Sequence, residues 1–328
     1  MERNWKDIIF PRFEVRKSKK QKTEFIEMLR ERYGERLRVE ECGTLLKSRN
    51  IVIGDPEKAK AVYTAHYDTC AVLPFPNFIT PRNFFVYLLY QIAISVLLLL
   101  PVAVLEYLFI RFSAGMNGFA RMLLSEILLF GGLFLMIWLL MFGKANPHTA
   151  NDNTSGVVTV LTLADRLADE KDAAFILFDN EEIGLLGSAG YANAHKHVKT
   201  GTLIVNFDCV SDGDHILMLF SKKAETEDGA YYARLRESAE AAFAARGGKQ
   251  VEVCPKKGTF YPSDQANFRR SAAVCALKRS RLVGLYMNKI HTPRDTVFDE
   301  ENVAAITEAF AAAHAASESD PAPSEGTE

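Results

Sequence analysis

Five short segments of the sequence carry histidine or acidic residues at spacings that suit chemistry. They are AVYTAHYDT with His66 and Asp68, ANDNTSGVV with Asp152, FILFDNEEIGLLGS with Glu181 and Glu182, LIVNFDCV with Asp208, and KIHTPRDT with His291. Taken singly, each has an ordinary explanation as a cap, a turn or a solvated loop. Taken together, two imidazoles and several carboxylates form a nitrogen and oxygen ligand set that suits zinc, with cobalt or manganese as substitutes.

His66 and Asp68 lie two positions apart on a predicted strand, so their side chains should share one face at its carboxyl end. A metal-binding imidazole commonly donates its second N–H to a carboxylate. We therefore expect Asp68 to orient His66 rather than to bind an ion itself. Asp152 stands on a predicted loop at a helix start, where one carboxylate can bridge two cations.

Glu181 and Glu182 follow directly from an apolar run that predicts a buried strand. Two adjacent carboxylates near a core need a charge partner or a raised pKa. A metal ligand beside a general base would meet that need, because one carboxylate holds the ion and the other takes a proton from water.

Short apolar runs alternate with helical stretches along the chain, which predicts an α/β fold with a central mixed, mostly parallel sheet flanked by helices. The predicted strands are 51–53, 61–67, 173–178, 202–207, 216–220 and 272–277. The predicted helices are 23–33, 155–167, 185–194, 229–245 and 300–315.

Two interior segments are strongly apolar: 84–105 has no charged residue and 122–142 has only Glu126. Each is long enough to cross a hydrocarbon layer of about 30 Å at about 1.5 Å per residue. With the polar link 111–121 between them they predict a transmembrane helical hairpin; the alternative is a pair of buried core helices. The expected division is therefore 1–80 and 145–316 as one soluble domain, 81–144 as the inserted hairpin, and 317–328 as a disordered acidic tail.

Composition narrows the function classes. The 39 Lys and Arg against 41 Asp and Glu give a net charge of −2, which indicates no nucleic-acid partner. Five cysteines without a C-x-x-C pair argue against a disulfide framework and indicate reduced thiols. The positive charges at the two ends of the hairpin are equal in number, so they do not decide its orientation. The reduced thiols and the basic amino-terminal segment, which has no signal sequence, favour a protein of the cytoplasmic membrane whose soluble domain lies in the cytoplasm.

The order of the five motifs and the residues they contain resemble those of the co-catalytic di-zinc aminopeptidase family, whose relatives include glutamate carboxypeptidases and glutaminyl cyclases. The resemblance implies a zinc-exopeptidase fold and two Zn²⁺ ions. One ion would be held by His66, Asp152 and Asp208, and the other by Asp152, Glu182 and His291. It also implies that Glu181 is the general base, that Asp68 orients His66, and that peptides with a free amino terminus are the substrates.

The sequence departs from the family pattern at two places. FYPSDQANF carries Gln265 where histidine is common, and the apolar hairpin separates His66 from Asp152. Alternative functions are a carboxypeptidase or deacylase of the related group, a single-zinc acyltransferase similar to glutaminyl cyclase, and a non-catalytic membrane scaffold. The complete ligand set favours the peptidase. The histidines outside the motifs are not expected to bind the catalytic metal.

Overall fold

Within residues 4–315, which the computed structural model describes, nine strands form one central sheet. Its order is β1-β2-β4-β3-β5-β8-β6-β7, and β9 pairs with β8. The strands are β1 Leu37–Cys42, β2 Ser48–Ile53, β3 Ala61–His66, β4 Ala173–Phe178, β5 Leu203–Phe207, β6 His215–Phe220, β7 Gln250–Pro255, β8 Ser271–Ser280 and β9 Gly284–Tyr286. The predicted tail 317–328 lies outside the described residues.

Parallel pairing is concentrated at the centre of the sheet, where β4, β3, β5 and β8 run side by side in one direction. Antiparallel pairing joins β2 to β4 and β6 to β8 on either side. The predicted mixed sheet is thus confirmed, with its parallel part in the middle. The four central strands end at one edge, called the carboxyl edge below, where ligand sites of α/β sheets commonly lie.

Helices cover both faces of the sheet, so β3, β4 and β5 are buried along their whole length. The helices are α1 Trp5–Phe13, α2 Lys19–Tyr33, α3 Phe84–Phe112, α4 Gly118–Phe142, α5 Gly156–Arg166, α6 Leu186–Ala194, α7 Lys196–Gly201, α8 Lys222–Glu227, α9 Gly229–Ala244 and α10 Glu300–Ala315. Tyr63 of β3 packs in the core under α5, α9 and α10, whereas Val62 packs in the core under α6 and α7. Successive residues of a strand therefore serve opposite layers.

The predicted helices and strands are present to within a few residues, but several elements were missed. Strands β1 and β7 are partly exposed and carry charged residues, so they lack the apolar signature of the central strands. Helix α1 contains Pro11, and a proline at such a position normally predicts that a helix ends there. Helices α7 and α8 are six residues each, too short for a clear period.

The apolar segments form two long helices, α3 and α4, and each contains an 18-residue stretch whose mean hydropathy is 2.5 in α3 and 2.3 in α4. They pack on each other: a Cβ at Gly132 would lie 3.1 Å from a methyl group of Val102, and Ser125 donates a hydrogen bond to Glu106. The connection between them is 113–117, shorter than the predicted link 111–121, because Arg111 and Arg121 belong to the helices. Their outward apolar side chains are exposed rather than packed on the sheet.

Candidate functional site

The residues singled out from the five motifs come together at the carboxyl edge. His66 is the last residue of β3, Asp208 follows β5, and the pair Glu181 and Glu182 follows β4 after two residues. Asp152 lies in the turn that precedes α5, and this turn is buried throughout. His291 lies in the loop between β9 and α10.

The two oxygens of Asp152 face two different imidazoles. Oδ1 lies 3.2 Å from His66 Nε2, and Oδ2 lies 3.2 Å from His291 Nε2. Asp208 Oδ1 completes the first group at 3.6 Å from His66 Nε2, and Glu182 Oε2 completes the second at 3.3 Å from His291 Nε2. This is the arrangement in which a single carboxylate can bridge two neighbouring cations.

The tautomer of His66 follows from its neighbour. Its Nδ1 lies 3.2 Å from the backbone carbonyl of Asp68, and a carbonyl oxygen can only accept, so Nδ1 carries the hydrogen. Nε2, which faces Asp152 and Asp208, is then the nitrogen that can bind a metal once it has lost its own proton.

Asp68 lies beyond the end of β3, so the prediction that it shares the strand with His66 is wrong; the strand ends at His66. Its carboxylate accepts hydrogen bonds from the amides of Glu181 at 3.0 Å and Glu182 at 3.3 Å. The same carboxylate is 3.7 Å from His66 Nδ1, too far for a hydrogen bond. Its strongest contacts therefore hold the turn that carries both glutamates.

The pKa values show an excess of buried negative charge. Burial raises the pKa of Glu181 well above its usual range and that of Glu182 to about 8. Burial opposes protonation of His291, yet the carboxylates of Glu182 and Asp152 raise its pKa to about 9. The acids lack a stabilising positive charge, and the imidazoles gain protons in its place.

The donor set fits a divalent metal. Among the described residues, Asp208 Oδ1 and Glu182 Oε1 are buried and accept no hydrogen bond, which is costly for a carboxylate. The ligand atoms of His66, Asp152 and Asp208 all lie within 4.8 Å of one another. A cation in this space would satisfy the free oxygens and balance the charge, and its nitrogen and oxygen ligands would suit zinc.

Glu181 stands beside this ligand set. Within the described chain, Glu181, Glu182 and His66 form another group whose ligand atoms lie within 4.8 Å of one another. Asp68 fixes the main chain of Glu181 by accepting a hydrogen bond from its amide. Within residues 4–315, the carboxylate of Glu181 accepts no hydrogen bond. A partly buried carboxylate of raised pKa next to a metal-binding space is suited to accept a proton.

Polar residues that resembled simple turn formers fix the position of Asp152. Asn151 Oδ1 accepts hydrogen bonds from the amides of Ser211 and Asp212, and Asn153 Nδ2 donates to the carbonyl of Phe207. They tie the Asp152 turn to the segment that carries Asp208. The adjoining Gly156 has no room for a Cβ, which would lie 2.3 Å from the Phe207 carbonyl oxygen.

Sequence reasoning missed three residues at the site. Asp295 accepts hydrogen bonds from the amides of Asn151 at 2.9 Å and Asp152 at 3.0 Å. Asp264 is buried with both carboxylate oxygens unpartnered among the described residues, and burial raises its pKa to about 7. The Cys70 sulfur lies within 4.8 Å of ligand atoms of Glu182 and His291. Asp295 belongs to the KIHTPRDT motif, so its place in that motif could have identified it from the sequence.

Gln265, which replaces the common histidine, is buried in a polar network. Its Oε1 accepts a hydrogen bond from Asn206 at 3.0 Å, and its Nε2 donates to the Tyr261 carbonyl at 2.9 Å. Tyr261 in turn donates its hydroxyl hydrogen to the backbone carbonyl of Asp208. Gln265 thus supports the segment next to Asp208.

Histidines outside the motifs have partners elsewhere. His195 lies between Glu40 and Glu57, both at 2.7 Å, and is stacked on Tyr191. His314, in the last turn of α10, contacts Tyr63 and Asp172.

The α/β sheet with a buried acid and histidine cluster at its carboxyl edge defines a metallopeptidase-like class of protein. The model of peptidase family M28 matches residues 140–315, and the chain belongs to this family. The assignment confirms the resemblance drawn from the motifs and supports a metal-dependent hydrolase. No curated protein matches the sequence.

Solved structures share the fold at low sequence identity. A glutaminyl cyclase from Porphyromonas gingivalis is similar with a TM-score of 0.55 and 14% identity, over 93% of this chain and 92% of the other. A leucine aminopeptidase precursor from Bacteroides thetaiotaomicron gives a TM-score of 0.52 and 15% identity, over 92% of this chain and 90% of the other. At such identities the likeness concerns the fold alone.

Proposed function

We propose that this protein is a membrane-anchored di-zinc aminopeptidase. The observation that carries the proposal is the position of Asp152, whose two oxygens face His66 and His291 separately. His66, Asp152 and Asp208 would hold one ion, and Asp152, Glu182 and His291 the other. A non-catalytic scaffold would have no need for buried acids with unsatisfied oxygens.

Zinc bound to these residues would supply Lewis-acid chemistry, which polarises a peptide carbonyl and makes water acidic enough to ionise. Glu181 accepts the proton of the attacking water on its carboxylate and then delivers it to the leaving amine. Asp68 holds the Glu181 amide, so the base stays directed into the site. Partial burial of Glu181 raises the pKa of its carboxyl group, which makes the carboxylate a stronger proton acceptor than it would be in solvent.

An aminopeptidase is the default among the hydrolases of this family, because a leucine aminopeptidase precursor shares the fold. A similar fold is also found in a glutaminyl cyclase, so that reaction belongs in the same assay. The full set of two histidines, three ligating acids and a separate base favours hydrolysis. Carboxypeptidase or deacylase activity is the alternative within the related group.

Helices α3 and α4 are proposed to be the membrane anchor, inserted at 81–144 between the two parts of the peptidase domain. At about 1.5 Å per residue they measure about 44 and 38 Å, enough to cross a bilayer. Exposed apolar surface of this extent would cause a protein in water to aggregate. A hairpin returns to its starting side, so the soluble domain would lie wholly on that side, which we assign to the cytoplasm.

The catalytic proposal is tested with Glu181→Gln. We expect the variant to retain two zinc ions by metal analysis and to lose about 10²- to 10⁴-fold in hydrolysis of aminoacyl amides, the usual contribution of a general base. Glu237→Gln, an exposed glutamate of α9, serves as the matched control. Full activity of Glu181→Gln would refute the assignment of the base.

Substrate class is tested with zinc-loaded protein and matched peptides whose amino terminus is free or acetylated. Cleavage restricted to free termini supports an aminopeptidase, whereas equal cleavage of both forms would indicate an endopeptidase. Peptides beginning with glutamine form a third arm, in which cyclisation without cleavage would indicate the acyltransferase. A reporter fused at Gly115, in the link between α3 and α4, should lie on the non-cytoplasmic side.

A further inference from the structure

Three leucines project into solvent at the carboxyl edge, the same edge from which the hairpin leaves the domain. Leu45, Leu46 and Leu282 are 96%, 47% and 91% exposed. Single exposed leucines are common on protein surfaces and need no explanation. These three leucines, however, all lie beside the ends of α3 and α4 that join the hairpin to the rest of the protein.

Leu45 and Leu46 lie beside the end of α4. They belong to the loop 43–47 between β1 and β2, and β2 begins level with the carboxyl end of β4 because these two strands are antiparallel. The loop lines a cavity of about 290 Å³ together with Phe142, the last residue of α4, and Ile183. The exposed leucines are therefore next to the point where α4 re-enters the domain.

Leu282 lies beside the start of α3. It is in the turn 281–283 between β8 and β9, and Asn83, the cap of α3, donates a hydrogen bond of 3.5 Å to the Val283 carbonyl. On this side Phe260 also packs against Phe84 of α3 with ring centroids 5.9 Å apart. The leucine loops thus flank the base of the hairpin, one next to each helix.

Basic side chains accompany the leucines on both sides. Lys17, Lys19 and Lys47 line the same cavity as Leu45, and Arg279 and Arg281 lie next to Leu282 along the chain. Within residues 4–315, Lys19, Arg279 and Arg281 are exposed and take part in no recorded ion pair. Exposed apolar tips among free cations are typical of surfaces that enter the interface of an anionic bilayer.

We propose that the carboxyl edge rests on an anionic phospholipid bilayer, with Leu45, Leu46 and Leu282 in the headgroup layer. Lys19, Arg279 and Arg281 beside them contact lipid phosphates. This inference rests on the proposed insertion of α3 and α4, and it adds a fixed orientation of the domain on the membrane.

The orientation has a consequence for substrates. A cavity of about 360 Å³ is lined by Asp68 and Glu182 of the site together with Met141 and Phe142 at the end of α4. When the leucine loops touch the bilayer, this cavity opens at the lipid surface. Peptides that are held at that surface then reach the site more readily than peptides free in solution.

The orientation is tested with an environment-sensitive fluorophore placed at Leu45→Cys or Leu282→Cys in the full-length protein. Partly exposed Cys42 and Cys254 are replaced by serine in every variant. The protein is reconstituted into vesicles with and without phosphatidylglycerol in phosphatidylcholine, and doxyl lipids serve as quenchers. Leu97→Cys, in the middle of α3, reports insertion, and Lys171→Cys, exposed before β4 at the opposite edge, is the matched control.

We expect blue-shifted, quenched emission at positions 45 and 282, stronger with phosphatidylglycerol, and water-like emission at 171. Water-like emission at 45 and 282 with quenching at 97 would overturn this inference and leave the anchor intact. Unquenched emission at 97 would overturn the anchor and, with it, this inference. A shift at 171 equal to those at 45 and 282 would overturn the specific orientation, and equal shifts in both lipids would overturn the role of the basic residues.

A functional readout uses the combined variant Leu45→Ser, Leu46→Ser and Leu282→Ser with α3 and α4 unchanged. Hydrolysis of a soluble peptide amide should equal that of the native protein, which shows that the variant is folded. Hydrolysis of the same peptide carried on a lipid tether in anionic vesicles should fall severalfold. If the variant hydrolysed both substrates as fast as the native protein does, this result would contradict the proposed docking.

Discussion

At the scale of single residues, Asp68 and Asp295 act through the backbone of other residues. Each carboxylate accepts hydrogen bonds from two consecutive amides, Asp68 from Glu181 and Glu182, and Asp295 from Asn151 and Asp152. They therefore hold the main chain of the proposed base Glu181 and of the proposed bridging residue Asp152. Such outer partners typically change metal affinity or activity by about 10- to 100-fold when removed.

Asp68→Asn should lower kcat by about 10- to 100-fold and leave zinc content unchanged. The amide that replaces one carboxylate oxygen presents donors to the backbone N–H groups, so at least one of them loses its partner. The measurement is steady-state hydrolysis together with metal analysis on the same preparation. Unchanged kcat would show that the Glu181 turn keeps its position without this carboxylate.

Asp295→Asn should weaken metal binding instead, by about 10- to 100-fold. Asp295 holds the amide of Asp152, the residue whose oxygens face both imidazoles, so displacement of this turn disturbs both groups of ligands. Zinc titration into metal-free protein measures the effect. Asp214→Asn, a change of the same kind in the loop before β6, is the control and should bind zinc as the native protein does.

At the scale of elements, the hairpin depends on close contact between α3 and α4. Gly132 faces Val102, whereas the neighbouring Gly131 has open space around its Cβ position. Gly132→Leu should force the helices apart, while Gly131→Leu should leave them in contact. The separation is measured in detergent as the yield of a disulfide engineered between the two helices. An equal loss of disulfide yield in both variants would contradict the packing.

Arg82 links the start of α3 to strand β7 through a two-pronged contact with Glu252. Hydrogen bonding from Arg82 lowers the pKa of Glu252 to about 2. A carboxyl whose pKa is depressed by folding stabilises the native state above its unfolded pKa of about 4.3, and this contribution disappears as the pH falls toward 2. Because both groups are partly exposed, the effect is small.

Arg82→Gln should therefore lower the Tm at neutral pH, and the difference from the native protein should narrow between about pH 4.3 and 2. Thermal unfolding in detergent at a series of pH values measures this. Arg279→Gln removes an exposed arginine of β8 that forms no ion pair within residues 4–315, and it should give no such pH-dependent difference. A Tm gap for Arg82→Gln that is constant with pH would rule out the Glu252 contact as its cause.

At the scale of the whole molecule, the site joins segments that are distant in sequence. It gathers residues that follow β3, β4 and β5 and two loops, and they carry more acid than the described protein around them neutralises. Any cation that binds there stabilises the folded state by mass action, about 2.7 kcal/mol at a hundredfold excess over Kd. The folded protein should therefore be markedly less stable without metal.

Chelation should lower the Tm of the full-length protein, and zinc should restore it in a concentration-dependent way. The same treatment of His291→Ala, which removes a proposed ligand, should produce a smaller shift. Calorimetry or intrinsic fluorescence in detergent measures both. A Tm that does not respond to chelator or zinc would exclude a metal at this cluster.

The sequence by itself determined the residue types of the candidate site and the placement of His66, Asp208 and the pair Glu181 and Glu182 at strand ends. Parallel strands end at a common edge, so residues that follow β3, β4 and β5 meet without further information. Continuous apolar runs also gave the central strands and the two long helices, because burial on all sides leaves a strong local signal. Strands β1 and β7 left none, since they are only partly buried.

Only the tertiary structure decided how the site residues face one another. Which oxygen of Asp152 meets His66 and which meets His291 depends on contacts across long stretches of chain, including the ties of Asn151 and Asn153 to the β5 segment. The contacts of Asp68 have the same origin: it follows β3 and accepts hydrogen bonds from the amides of Glu181 and Glu182 after β4, a strand that is adjacent in space but distant in sequence. The position of the leucine loops beside α3 and α4 likewise depends on strand pairing, which no local pattern specifies.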